Sequence, residues 1–309
     1  MSSSHFVDVL TDMLQRSRAR GAGFSHSTIR GPWGLHFDAV PGLAVHTIVD
    51  GELYLWTDGE PERLIGGDIV LVRGGLDHCM ASDPAVPCRP LQEYMAASQV
   101  APRRFVSGSG DARFEFFCGA YLFEGDICES LLGLLPEIVR LRPPAGSPLR
   151  STLDLLAREM VADEPGQQTL LDRLLDVALV QVLREHFAAL GDDAPGWFVA
   201  SRDPALGRAL RAVHADPARR WTVEQLAAEA SLSRAAFARR FQATMGVSPL
   251  AYLTGWRMAL ARELLRDGDG GIAAVADALG YASEFSFAAA FKRHHGVAPG
   301  RWRATARAA

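Results

Sequence analysis

Lysine is nearly missing from this 309-residue sequence: Lys292 is the single lysine among 32 basic residues, so positive charge rests on arginine. Arginine's planar fork suits bidentate contacts to phosphate and to guanine. Cysteine is scarce as well, with four copies that should stay reduced in a cytoplasm. No apolar run approaches the roughly 20 residues of a membrane span. The start, Met1 to Leu10, shows no basic region followed by an apolar stretch and a cleavage site, so no secretory signal is read there. These absences lead to the expectation of a cytoplasmic protein without a membrane partner.

The composition that remains, 48 % hydrophobic and 22 % charged, is that of a globular chain, and its length suggests two domains. Net charge is −4, but it is unevenly spread. Residues 201–309 hold 16 Lys+Arg against 9 Asp+Glu, and the preceding residues hold 16 against 27. A basic half joined to an acidic half points to a polyanion partner for the basic half alone.

Between about Gly31 and Phe123, short apolar runs (Leu43–Val49, Leu53–Trp56, Asp68–Val72, Phe114–Phe123) are broken by Asp50-Gly51, Asp58-Gly59, Gly66-Gly67 and Gly74-Gly75. This spacing predicts a β-sandwich or barrel. From Ser130 the period becomes helical, and Leu149–Ala162 and Thr169–Leu190 read as amphipathic helices suited to packing on a partner. The turn formers Gly191 to Gly196, where the charge changes sign, predict a linker over 191–204.

The strongest signal is an internal repeat. Gln225 to Ser233, followed by Phe237, Phe241 and Gly246-Val247-Ser248-Pro249, matches Val275 to Ser283, followed by Phe287, Phe291 and Gly296-Val297-Ala298-Pro299. The offset is 49 at Ala227/Ala276 and 50 afterwards, so the second copy carries one extra residue in its turn. Each copy has the parts of a helix-turn-helix. Thr222 to Gln225 is a capping box, Ala227 and Ala230 allow a close helix crossing, and Ser233 and Ser283 are N-caps of second helices. Phenylalanines four apart bury one face of each second helix, leaving the other free. The DNA-facing candidates are Ser233, Arg234, Ala235, Ala238, Arg239 and Arg240 in the first, and Ser283, Glu284, Ser286, Ala289, Lys292 and Arg293 in the second. A helix buried on one side and basic at its exposed edge fits a major groove. Pro249 to Leu265 reads as one connecting helix with Leu253, Trp256, Leu260 and Leu264 on its core face.

Residues 205–306 resemble the DNA-binding domain of the AraC/XylS family. The markers are the paired units, Gly246-Val247-Ser248-Pro249, Arg257, Ile272 to Ala276, Gly280-Tyr281, Phe291-Lys292-Arg293 and Gly296-Val297-Ala298-Pro299. The resemblance implies double-stranded operator or promoter DNA as partner, with RNA polymerase as a second. It implies too that the two recognition helices enter successive major-groove faces. Ala288-Ala289-Ala290 stands where relatives often carry an arginine or polar residue, which puts the weight of base reading on the first helix.

Residues 6–190 resemble the family's cupin-type sensor through Trp33-Gly34-Leu35, Val45 to Val49, Gly66 to Val72, His78 and Phe117-Cys118-Gly119. The fold expectation is therefore an α+β two-domain chain: an N-terminal β-rich cupin-like barrel with appended helices, then a C-terminal all-α domain with two helix-turn-helix units. His46, His78 and Cys118 are ligand types for zinc or another divalent metal, and equally the makings of a hydrogen-bonded core. Enzymatic cupins hold metal with a His-x-His pair, but Ala44 precedes His46 here, and Glu52 is the nearest glutamate. Cys79 and Cys118 are candidates for a thiol redox switch, and Cys88 and Cys128 carry no assigned role. Two functions compete: a DNA-binding regulator answering a small-molecule or redox effector, with homodimerisation through the helices of 149–190, or a cupin-type metal-dependent enzyme with a helical appendage.

Overall fold

The computed structural model describes residues 8–16, 18–101, 103–124, 131–162 and 164–306, which leaves Cys128 outside the described residues. The chain opens with helix α1 (Val9–Arg16) and then enters the strands β1 (Arg18–Arg30), β2 (Gly34–Phe37), β3 (Leu43–Asp50), β4 (Glu52–Trp56), β5 (Glu62–Ile65), β6 (Ile69–Arg73), β7 (His78–Ala81) and β8 (Arg89–Pro90). Helix α2 (Leu91–Ser98), strands β9 (Gln99–Ala101), β10 (Arg104–Gly108), β11 (Arg113–Glu124) and β12 (Ile138–Leu141), and helices α3 (Pro148–Glu159) and α4 (Gln167–Ala189) complete the first part.

These strands form two sheets, ordered β12-β6-β3-β11-β1-β10-β9 and β5-β4-β7-β2-β8. The expected runs become β3, β4, β6 and β11, joined where the sequence places its turn glycines. Strand β3 is apolar at consecutive positions because both of its faces are covered. Ala44, His46 and Ile48 point into the core with Leu35, Phe37, Leu55, Val70 and Phe116, whereas Val45 and Thr47 meet Leu153 and Leu156 of α3 and Leu175 of α4. The latter seam encloses a cavity of about 20 Å³, room for little more than one water. At the β5–β6 turn, the buried Asp68 carboxylate accepts from the Ile65 amide (2.9 Å), Arg140 (2.8 Å) and Arg142 (2.7 Å). Burial alone would raise this carboxyl; the Arg142 bond, the Ile65 amide and Arg140 outweigh it and hold the group below the ordinary carboxylate range.

The second part is all-helical: α5 (Gly196–Arg202), α6 (Leu206–Ala215), α7 (Val223–Glu229), α8 (Arg234–Met245), α9 (Pro249–Asp267), α10 (Ile272–Ala278), α11 (Glu284–His295) and α12 (Pro299–Ala306). Phe237, Phe241, Phe287 and Phe291 are all buried in one core with Leu253, Trp256 and Leu260. On the connecting helix α9, Leu264, expected on the core face, is exposed, and Leu265 is the buried residue. Over this five-turn helix, 3.6 residues per turn carries the core stripe past the strict four-residue spacing.

The domain boundaries also differ from those expected. Residues 191–204 are not a free linker, because α5 lies within this span and puts Ala200 and Phe198 into buried positions, Ala200 in the helical core. The turn formers before it occupy one short turn, Gly191–Asp193. Likewise α1 falls with residues 191–309 rather than with the sensor. Its Val9 joins the helical core, and its Asp12 Oδ2 lies 2.7 Å from His214 Nδ1, whose Nε2 is 2.7 Å from the Tyr252 hydroxyl on α9.

Candidate nucleic-acid interface

The repeat is reproduced atom for atom in the two turns. In the first, Ser231 N–H donates to Ala228 O and Leu232 N–H to Ala227 O, both at 2.9 Å. In the second, Gly280 donates to Asp277 (3.0 Å) and Tyr281 to Ala276 (2.9 Å), the same bonds at offset 49. The extra residue is therefore Ala282, between the turn and the cap. Ser231 and Gly280 occupy the equivalent left-handed position, with φ +55° and +74°. Only glycine fits the second, since a Cβ there would sit 1.7 Å from Ala218 O.

Both second helices start as expected: Ser233 accepts from Ala236 N (3.3 Å) and Ser283 from Ser286 N (3.2 Å). On α8, Ala235 and Arg239 face away from Phe237 and Phe241 and are exposed. Among the described residues, Arg239 has no ion pair. Arg234 is exposed but meets Glu224 at 2.7 Å, and Arg240 is held by Asp203, which turns its guanidinium toward the α5–α6 junction. Ala238 is half-buried. On α11, Glu284, Ala289, Lys292 and Arg293 are exposed, while the Ser286 hydroxyl is taken up with the Ser283 backbone, donating to its carbonyl at 2.8 Å. Among the described residues, Arg239, Lys292 and Arg293 are thus the candidate cations without an ion pair, and Ser233, Ser283 and Ser286 shape the helix starts.

Arg257 fixes how the two units sit. Its guanidinium donates from α9 to the carbonyls of Pro217 (2.7 Å), Ala218 (3.2 Å) and Arg219 (2.9 Å), and stacks 5.6 Å from the Tyr281 ring. The loop before the first unit, the connecting helix and the second turn are thereby tied at one point.

In the sensor, cross-strand register explains the candidate metal set. His46 and Cys118 are paired residues of β3 and β11; Phe37 and His78 are paired residues of β2 and β7 in the other sheet. His46 spans the gap, with Nδ1 2.9 Å from Cys118 Sγ and Nε2 2.8 Å from His78 Nε2, and the Phe37 ring stacks on His78 at 4.8 Å. One imidazole presenting a different nitrogen to each neighbour makes a relay, and the three donor atoms do not converge on one point. The residues in this arrangement do not fit a shared metal ion, and among the described residues no group of three His, Cys, Asp or Glu does. Burial pushes His46 well below the ordinary imidazole range and His78 down to about 4, so both rings are neutral near pH 7. The Cys118 thiol is pushed up by the same burial. Cys79 points to the other side of its strand, half-exposed, 3.7 Å from His36 Nδ1. The structure does not bring it to Cys118. Its nearer thiol is Cys88, and burial followed by that neighbour raises Cys79 to about 12. A thiolate is disfavoured at both positions.

A family model described as Cupin matches residues 8–188, and one described as Helix-turn-helix domain matches 226–305. A putative AraC-like transcription regulator of Streptomyces antibioticus is 34 % identical over 304 residues, 96 % of this chain and 98 % of that protein. The chain belongs to the AraC family of transcription regulators. The HTH-type transcriptional regulator AlkR of Acinetobacter baylyi is 30 % identical over 305 residues, 96 % of this chain and 99 % of its own. The solved DNA-binding domain of AdpA, in complex with a target DNA, is 34 % identical, covering 34 % of this chain and 95 % of that one, with a TM-score of 0.33. In this chain, then, a helix-turn-helix domain that binds DNA follows a cupin domain. One exposed residue of the candidate interface lies outside the sequence-based expectations: Phe285, at the second position of α11. The signal was its place, since offset 50 puts it opposite Ala235.

Proposed function

We propose that this AraC-family chain is a one-component, sequence-specific regulator acting on promoter DNA in the cytoplasm, and not a metal-dependent cupin enzyme. The observation that carries this is the pair of second helices, α8 and α11, built at a 50-residue offset on one shared core with their outer faces exposed. Arg239 supplies bidentate base recognition, and Lys292 and Arg293 supply phosphate contacts. The enzyme reading needs a metal, and the His46 relay offers no converging ligand set for one.

The signal enters through the cupin unit as a small molecule. A groove of about 450 Å³, lined by Arg103, Arg104, Glu164, Gln167, Gln168 and Thr169, has room for one, unlike the apolar seam under α3 and α4. A homodimer forms through the outer faces of α3 and α4, where Leu155, Leu170 and Val177 are each more than 40 % exposed. RNA polymerase is the further protein partner. Fluorescence anisotropy of the full-length chain with labelled duplex tests the DNA reading. Binding is expected at low salt, falling steeply and linearly in log–log form as salt rises. Absence of binding to any duplex in low salt would overturn it.

A further inference from the structure

Phe285 is 84 % exposed, the most exposed large apolar side chain among the described residues. An aromatic ring in water at that level forgoes about 2–3 kcal/mol of available burial, so its surroundings in the working state are the question. Its position narrows the answer. On α11, Phe287, Ala290 and Phe291 are buried, so at 100° per residue Phe285, Ala289 and Lys292 share the opposite side. The N-terminal end of a recognition helix is the part that approaches base edges.

At offset 50, Ala235 and Arg239 of α8 become Phe285 and Ala289 of α11. The small residue and the large one have exchanged places. In α8 a long cation stands beside an alanine; in α11 an aromatic stands beside an alanine, which leaves the ring free to lie along the helix face. Ser286, next to it, is bonded into the cap and has no hydroxyl proton to spare for a base.

We propose that Phe285 is a base-reading residue of the second unit, recognising thymine by apolar contact with its C5 methyl group. This rests on the DNA-reading role of α11 and extends it. The two units would then read different chemistry: a hydrogen-bonding pattern at Arg239, and a methyl group at Phe285. Thymine is the one base that offers a methyl group in the major groove, and phenylalanine is among the side chains that contact it.

The test uses the full-length chain and duplexes selected by it from a random library. At each thymine of the second half-site, dT is replaced by dU, which removes the methyl and changes no hydrogen bond. One such replacement should weaken the wild-type chain on the order of fourfold, the share of one buried methyl. Phe285→Ala should bind the dT and dU duplexes within about twofold of each other, and Phe285→Leu should retain the preference. Equal thermal midpoints for the variants would show that folding is untouched. Indifference of the wild-type chain to dU at every thymine overturns the proposal while leaving DNA binding intact. So does a dT preference that survives in Phe285→Ala, or a Phe285→Ala chain that binds DNA normally yet fails to activate transcription, which would assign the ring to RNA polymerase. Failure to select any duplex would overturn the DNA reading itself.

Discussion

At the residue scale, the three arginines of α8 have separate duties that their shared exposure conceals. Arg239→Ala should cost about 1–3 kcal/mol at the selected site, read as a change in Kd, with the thermal midpoint unmoved. An unchanged Kd would remove it from the reading set. Arg240, tied to Asp203, should behave oppositely when truncated, losing some stability and little base discrimination. The first turn offers a second expectation. Ser231 holds a left-handed conformation that its partner position fills with glycine, and an L-residue there costs roughly 1–2 kcal/mol, offset in part by glycine's larger chain entropy. Ser231→Gly should therefore raise unfolding free energy by about 0.5–1 kcal/mol in urea titration; a loss would contradict this. Arg234, Arg239 and Arg240 were all legible as exposed because Phe237 and Phe241 define the buried side of the helix. That Glu224 and Asp203 engage two of them was not, since both partners come from other elements, one of them 37 residues distant.

At the scale of elements, the sensor's interior is held by neutral histidines. For His46 and His78 the folded pKa lies below the unfolded value near 6.5, so the unfolded chain takes up more protons and stability is lost as pH falls. Sensor unfolding monitored in urea should lose up to roughly 1.4 kcal/mol per pH unit per histidine between about pH 6.5 and 4. His78→Leu should flatten that slope, and an unaltered profile would count against the buried relay. Asp68→Asn, which leaves Arg140 and Arg142 facing an uncharged amide, should lower sensor stability by about 2 kcal/mol. The strands β3, β4, β6 and β11 were readable because apolar runs lie between turn glycines: β3 and β6 are buried at consecutive positions, whereas β4 alternates, with Leu53 and Leu55 inside. The pairing of β1 with β10, parallel and distant in sequence, left no local signature. The same holds for α1, whose place in the helical core depends on an Asp12–His214 contact spanning 202 residues.

At the scale of the whole molecule, the acidic and basic halves of the sequence correspond to a cupin unit and a helix-turn-helix unit, and the split of charge was the earliest sign of a polyanion partner. The division is less simple in the chain, which lends its first helix to the DNA-binding half before building the sensor. What holds α8 and α11 in one frame is the shared phenylalanine core, the α9 connector and the Arg257 tie, and Gly280 is a position where no side chain can be added without breaking that frame. Gly280→Ala should accordingly reduce both stability and DNA affinity. Selection of duplexes by the full-length chain, followed by footprinting, addresses the central claim most directly. Two short protected segments, about one helical turn or 10–10.5 base pairs apart on one side of the duplex, are the predicted result. Protection of a single short segment, unaltered when α11 is substituted at Lys292 and Arg293, would contradict it.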